Sequence, residues 1–235
     1  MPAKSPRLLS PEQRDQLSRI PADLPERELA RHYTLTEADL ALIRKRRRTT
    51  NRLGFALQLA VLRYPGRTLT DLPEIPPRVL AYVAEQVDVP TEAFAAYGQR
   101  RSTVFEHLDE LRRVYGYRMC GWSELRALAR VVLPLALESE RPLPLIETAL
   151  EWCRAERVLA PGITTIERVV WGARRLADQR VAHWLTQPLT NQHRDQLEAL
   201  LQADPELHGR TRLSWLREAP ELISRPMLPG VWPGV

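Results

Sequence analysis

Residues 42–66 read LIRKRRRTTNRLGFALQLAVLRYPG. Five cationic side chains in a row, Arg44, Lys45, Arg46, Arg47 and Arg48, run into an almost wholly apolar stretch. Within that stretch Leu53, Ala56, Leu57, Ala60, Val61 and Tyr64 recur at helical spacing, and Phe55, Leu59 and Leu62 fill a second flank. A helix that is apolar on two flanks must be surrounded, so the pattern predicts a central helix from about Arg52 to Tyr64, ended by Pro65-Gly66. The cationic run poses the opposite problem. Neighbouring helical residues are about 100° apart, so five in a row cover the whole circumference. Either some of them point at something other than water, or the helix ends there.

The helical period continues on both sides. Ser10 reads as an N-cap with Pro11 in the first turn and Gln13 closing a capping box, and PERELARHY makes a short helix. Thr36 caps EADLALIRKRRR, with Asp39 at the favourable third position. Further helices are expected over 77–87, 91–97, 102–115 and 142–157. SELRALARVVLPLALESE reads as a helix carrying Pro134, and TTIERVVWGARRLADQRVAHWL as one opened by a Thr164/Glu167 capping box. TNQHRDQLEALL is a last amphipathic helix, and no segment alternates as a strand would. The fold class is therefore all-α, in two to three small helical, helix-turn-helix-like subdomains. Their expected limits are 1–70, 71–120 and 121–217, followed by an irregular tail, 218–235, rich in Pro and Gly.

The 235 residues carry 34 Lys and Arg against 29 Asp and Glu, for a net charge of +5. Only Lys4 and Lys45 are lysines. Arginine forks onto phosphates and guanine edges in a way lysine does not, so this balance favours a nucleic-acid partner, and its clustering matters more than its total. No apolar run approaches the roughly 18 residues of a membrane helix, and MPAKSPRLLSPEQ has no signal core, which points to the cytoplasm and to no membrane partner. Cys120 and Cys153 make neither a disulfide framework nor a metal-ligand spacing.

Motifs for enzymatic or cofactor chemistry are absent: there is no HExxH, GxGxxG, GxxxxGK[ST], GxSxG or CxxC. No cofactor, metal ligand or catalytic residue is assigned. Two basic clusters remain. The first is Arg44–Arg48 with Thr49, Thr50, Asn51 and Arg52. A helix C-terminus decorated with cations accounts for two or three of these arginines, but five repel one another unless an anion is near. The hydroxyls and the amide that follow can hydrogen-bond phosphate. The second cluster is Gly98, Gln99, Arg100, Arg101, Ser102 and Thr103, ahead of VFEHLDELRRVYGYR. Short helix, turn and longer helix over 92–115 have helix-turn-helix proportions, although Ser102 serves equally as a plain N-cap.

Taken together, RHYTLTEADLALIRKRRRTTNRLGFALQLAVLRYPGRTL, IPPRVLAYVAEQVDVP and RRSTVFEHLDELRRVYGYR resemble the N-terminal region of Tn3-family transposases. The resemblance runs from about Leu8 to Arg217 and implies an α-helical DNA-binding module that recognises the terminal inverted repeats of a transposon. In that family a catalytic RNase H-like domain lies much further along the chain, so no catalytic position carries over. The departure after TRLSWLREAP suggests a truncated or frameshifted gene, or a stand-alone derivative. DNA contact carries over regionally to Arg44, Lys45, Arg46, Arg47, Arg48, Asn51 and Arg52, and to Arg100, Arg101, Ser102, Thr103 and His107. The expected partner is double-stranded DNA at transposon ends, with the first cluster setting affinity and the 102–115 helix reading bases. Neutralising Arg46 and Arg47 together should then weaken binding to all DNA. A rival reading makes the basic run a dock for an acidic partner, either the chain itself or a full-length transposase. A third makes the chain a metal-dependent nuclease.

Overall fold

The computed structural model describes residues 7–99 and 101–217, and divides the chain into two compact units, 1–180 and 181–235. Arg100 and the expected tail, 218–235, lie outside the described residues. The described residues are all-α, with only two isolated bridges, Arg118 to Val158 and Ala203 to Thr211. No described helix is long and apolar enough to cross a membrane.

The first unit begins with α1 (Pro11–Ser18), α2 (Glu26–Tyr33) and α3 (Glu37–Arg44). Ser10 with Gln13, and Thr36 with Asp39, form the capping boxes that the sequence implied. α4 (Thr49–Arg63) is the central post: the ten residues from Leu53 to Leu62 are all buried. Around it pack α2, α3, α5 (Pro77–Gln86), α6 (Arg101–Tyr115) and two 3-10 segments, Leu69–Asp71 and Thr91–Ala96. The expected helix over 91–97 is thus a 3-10 turn. The apolar cluster around α4 draws on residues from Ile20 to Leu111 and on Leu159, so elements on both sides of residue 70 share one core. Burying each large aliphatic side chain there contributes ~1.5–3 kcal/mol, which is why a helix this apolar recruits neighbours on every face.

α4 stops where the sequence requires. The amides of Gly66 and Arg67 both donate to the Val61 carbonyl, at 2.9 and 3.1 Å, and Gly66 takes a φ of +88° that a side chain would resist.

A second apolar cluster in this unit is built by α7 (Trp122–Glu138), α8 (Pro142–Ala155) and α9 (Ile163–Thr186), with Leu9 from the N-terminal segment. The expected Thr164/Glu167 capping box does not form. The helix already begins at Ile163, so Glu167 lies inside it, 2% exposed, and accepts from the backbone amides of Leu8 and Leu9 while pairing with Arg14. A buried carboxylate needs that pairing, and here it comes from the start of the chain. In the second unit, α10 (Asn191–Ala199) is capped by Thr190, a 3-10 turn spans Pro205–Leu207, and α11 (Arg212–Arg217) follows.

One ion pair ties α3 to α4. Arg63 donates to both oxygens of Asp39, at 2.9 and 2.7 Å, and the Tyr115 hydroxyl and Thr36 amide donate to the same carboxylate. Burial pushes the Asp39 carboxyl up, but these donors outweigh it and hold it at about 2 against an ordinary 3.8. A depressed carboxyl stabilises the fold above its unfolded value, and that stability is lost as pH falls through the folded one. Asp39 is 1% exposed, so the full increment of about 2 kcal/mol should vanish between about pH 4 and 2. Denaturant titrations across that window should show the loss in the native chain and not in Asp39→Asn. Equal acid sensitivity of the two would refute the assignment.

Candidate nucleic-acid interface

The cationic run resolves by ending one helix and starting the next. α3 stops at Arg44; the Lys45 amide folds back to Leu42, and the Arg46 amide to Ile43 at 2.9 Å. Arg48 then adopts extended backbone as the N-cap of α4, which begins at Thr49, three residues before the expected start at Arg52. Arg44 therefore closes α3 while Lys45, Arg46, Arg47 and Arg48 make the tight inter-helical turn, so the five cations do not have to encircle a helix. Arg44, Lys45, Arg47 and Arg48 are exposed. Arg46 turns inward, pairing with Glu110 on α6 and lying over the Phe55 ring at 4.6 Å.

The start of α4 is unusual in its electrostatics. Its cap is an arginine with no side-chain cap hydrogen bond, and its first turn holds no acid. A helix N-terminus carries roughly half a positive charge and several unpaired amides. Placing four exposed cations there is unfavourable without an anion, and favourable with one.

Beside this terminus lies a polar cleft of about 180 Å³. It is lined by Arg48, the N-cap of α4, with Thr50 and Asn51 of its first turn, by Ala96 of the 3-10 segment, by Tyr97, Gly98 and Gln99 of the loop after it, and by Thr103 of α6. The two clusters read separately in the sequence thus border one depression. Arg101 and Ser102 are exposed on the first turn of α6. Arg52 is half-buried and faces a different hollow, with Leu40, Ile43, Arg44, Gln86, Val87 and Asp88.

His107 lies inside this assembly, 5% exposed, and belongs to its support. Gln58 of α4 donates to the Tyr97 hydroxyl and to the Val104 carbonyl, both at 2.9 Å. The Tyr97 hydroxyl lies 2.9 Å from His107 Nδ1, a bond in which Tyr97 donates when the imidazole is neutral and carries its proton on Nε2. Burial, and next the nearby Arg46, hold His107 below its ordinary pKa, consistent with that form. The Tyr97 and His107 rings stack at 5.8 Å, and Phe55 meets His107 edge-on at 5.1 Å. This polar and aromatic chain fastens the second basic cluster to α4.

Two supports escape a reading by charge. Tyr97 looks like an ordinary end of a short helix in the sequence. Gly54 looks like a weak spot in an otherwise apolar helix, yet a Cβ there would overlap the Tyr97 ring at Cγ, Cδ2 and Cε2. The available signals were a lone glycine and a lone glutamine, Gln58, inside the most buried run of the chain.

An all-helical unit that presents two basic segments around one cleft is, in class, a helical module with a cationic surface. Residues 8–173 match the family described as a domain of unknown function (DUF4158), and the chain belongs to that family. It is 37% identical to the transposase for transposon Tn1546 of Enterococcus faecium, over 93% of this chain and 22% of that protein. Identity is 39% to the transposase for transposon Tn501 of Pseudomonas aeruginosa, over 91% of this chain and 21% of that protein. It is also 39% to the transposase for transposon Tn3926 of Escherichia coli, over 94% and 22%. The resemblance to Tn3-family transposases therefore holds along nine-tenths of the chain, while the chain spans about a fifth of the length of these curated relatives.

Proposed function

We propose that this chain is a DNA-recognition module of a transposition system, binding duplex DNA at the terminal inverted repeats of a transposon. The observation that carries the reading is the meeting of Arg48, Thr50 and Asn51 with Gln99 and Thr103 around one cleft, at a helix N-terminus that has no acid in its first turn and no side-chain cap hydrogen bond. Such a terminus attracts phosphate, and the exposed Arg44, Lys45, Arg47 and Arg48 extend the attraction along a DNA backbone. Arg101, Ser102 and Thr103 reach the same duplex from the start of α6, whose N-terminal end enters the major groove. The similarity to transposases supports the setting.

The test is a gel-shift titration with a transposon-end duplex and a scrambled duplex, with and without magnesium. Tighter binding to the end duplex, by at least tenfold and without cleavage, is expected. Equal affinity for the two duplexes removes the recognition role. Magnesium-dependent nicking replaces it with a nuclease.

A further inference from the structure

We infer that Phe105 is a base-reading residue, contacting the methyl group of a thymine in the major groove. The inference rests on the DNA-recognition reading above and adds a specificity determinant to the same site.

The outer face of α6 is a single stripe. Arg101, Ser102, Phe105, Glu106 and Asp109 are exposed, whereas His107 and Leu111 are buried against α4 and its neighbours. Phe105 stands on this stripe one turn beyond Arg101 and is 56% exposed, with no aromatic or cationic partner among the described residues. A phenylalanine kept in water one turn from the exposed Arg101, on the outer face of α6, is well placed to bury its ring on a ligand.

The chemistry of the neighbours selects which part of a duplex it meets. Phosphates would be repelled by the Glu106 carboxylate and gain nothing from an apolar ring. Base edges in the major groove accept both: a thymine methyl packs against an apolar side chain, and cytosine N4 donates to a carboxylate. The acid at Asp109 is partly neutralised by Arg112, at 3.0 Å, which eases the approach of that end of the stripe to DNA. Helices that read DNA contact bases with their N-terminal turns, where Ser102 and Phe105 lie. Phosphate contact by Arg47 and Arg48 then sets the register, and Phe105 discriminates.

The experiment uses the full chain and a duplex it selects from a randomised pool. Each thymine of that duplex is replaced in turn by uracil, which removes only the C5 methyl. One position should weaken the native chain about fourfold, the worth of one buried methyl-sized group. Phe105→Ala should bind the thymine and uracil versions of that position equally, with unchanged affinity for scrambled duplex and an unchanged melting temperature. Insensitivity of the native chain to every uracil overturns the inference, as does persistence of the same sensitivity in Phe105→Ala. Failure to select any duplex over the scrambled control removes the recognition reading itself, and the inference with it.

Discussion

A chain with Arg47→Ala and Arg48→Ala together is expected to bind duplex DNA about 30-fold more weakly at about 0.15 M salt, whatever the sequence. The figure follows from counterion release. Each phosphate neutralised contributes a slope of about −0.9 in log affinity against log salt, or roughly fivefold at that concentration. Losing two contacts should reduce the measured salt slope by about 2. Both side chains are exposed and have no ion-pair partner among the described residues, so their removal should change stability by less than about 1 kcal/mol. Arg46→Ala is the matched control. Its guanidinium lies inward on Phe55 and Glu110, so its loss should lower stability while the folded protein keeps most of its affinity. If Arg46→Ala and the double variant lose the same affinity and the same slope, the division between inner and outer cations is wrong.

That division also marks how far the sequence could be read. Apolar residues on two flanks of 52–64 require a surrounded helix whatever encloses it, and α4 is surrounded. The two clusters are legible because charge density is a local property. Their meeting is not, because it depends on long-range packing of the 3-10 turn and α6 onto α4. The inward turn of Arg46 has the same origin: Glu110 lies on another helix, and no local pattern distinguishes Arg46 from Arg47. Helix limits slipped where a tertiary partner overrode a local signal. Thr164 and Glu167 have capping-box spacing, but Glu167 is taken by the amides of Leu8 and Leu9 from the other end of the unit. The run Arg44–Arg48 reads as continuous helix because arginine is a good helix former, yet crowding of like charges is relieved by the turn.

The tightest coupling between the core and the cleft runs through Gly54, and Gly54→Ala should lower stability by about 2 kcal/mol. In an ordinary helix interior alanine would be the better residue, by up to ~1 kcal/mol. Here the added Cβ falls within the Tyr97 ring, which cannot swing aside cheaply because its hydroxyl is held between Gln58 and His107. Overpacking of this kind costs ~1–3 kcal/mol, enough to outweigh the propensity gain. The displaced ring would carry Gly98, Gln99 and Thr103 away from Arg48 and Asn51, since all five residues line the same cleft. Gly54→Ala should therefore weaken DNA binding even below its melting temperature, although residue 54 is buried and touches no ligand. Removing the obstacle tests the cause: Tyr97→Ala in the Gly54→Ala background should be less destabilising than Tyr97→Ala alone. Such a positive coupling, read from a double-mutant cycle by denaturant unfolding, identifies steric contact. Simple additivity would show that Gly54 is dispensable to the approach of the ring, and that the cleft is held open by its hydrogen bonds alone.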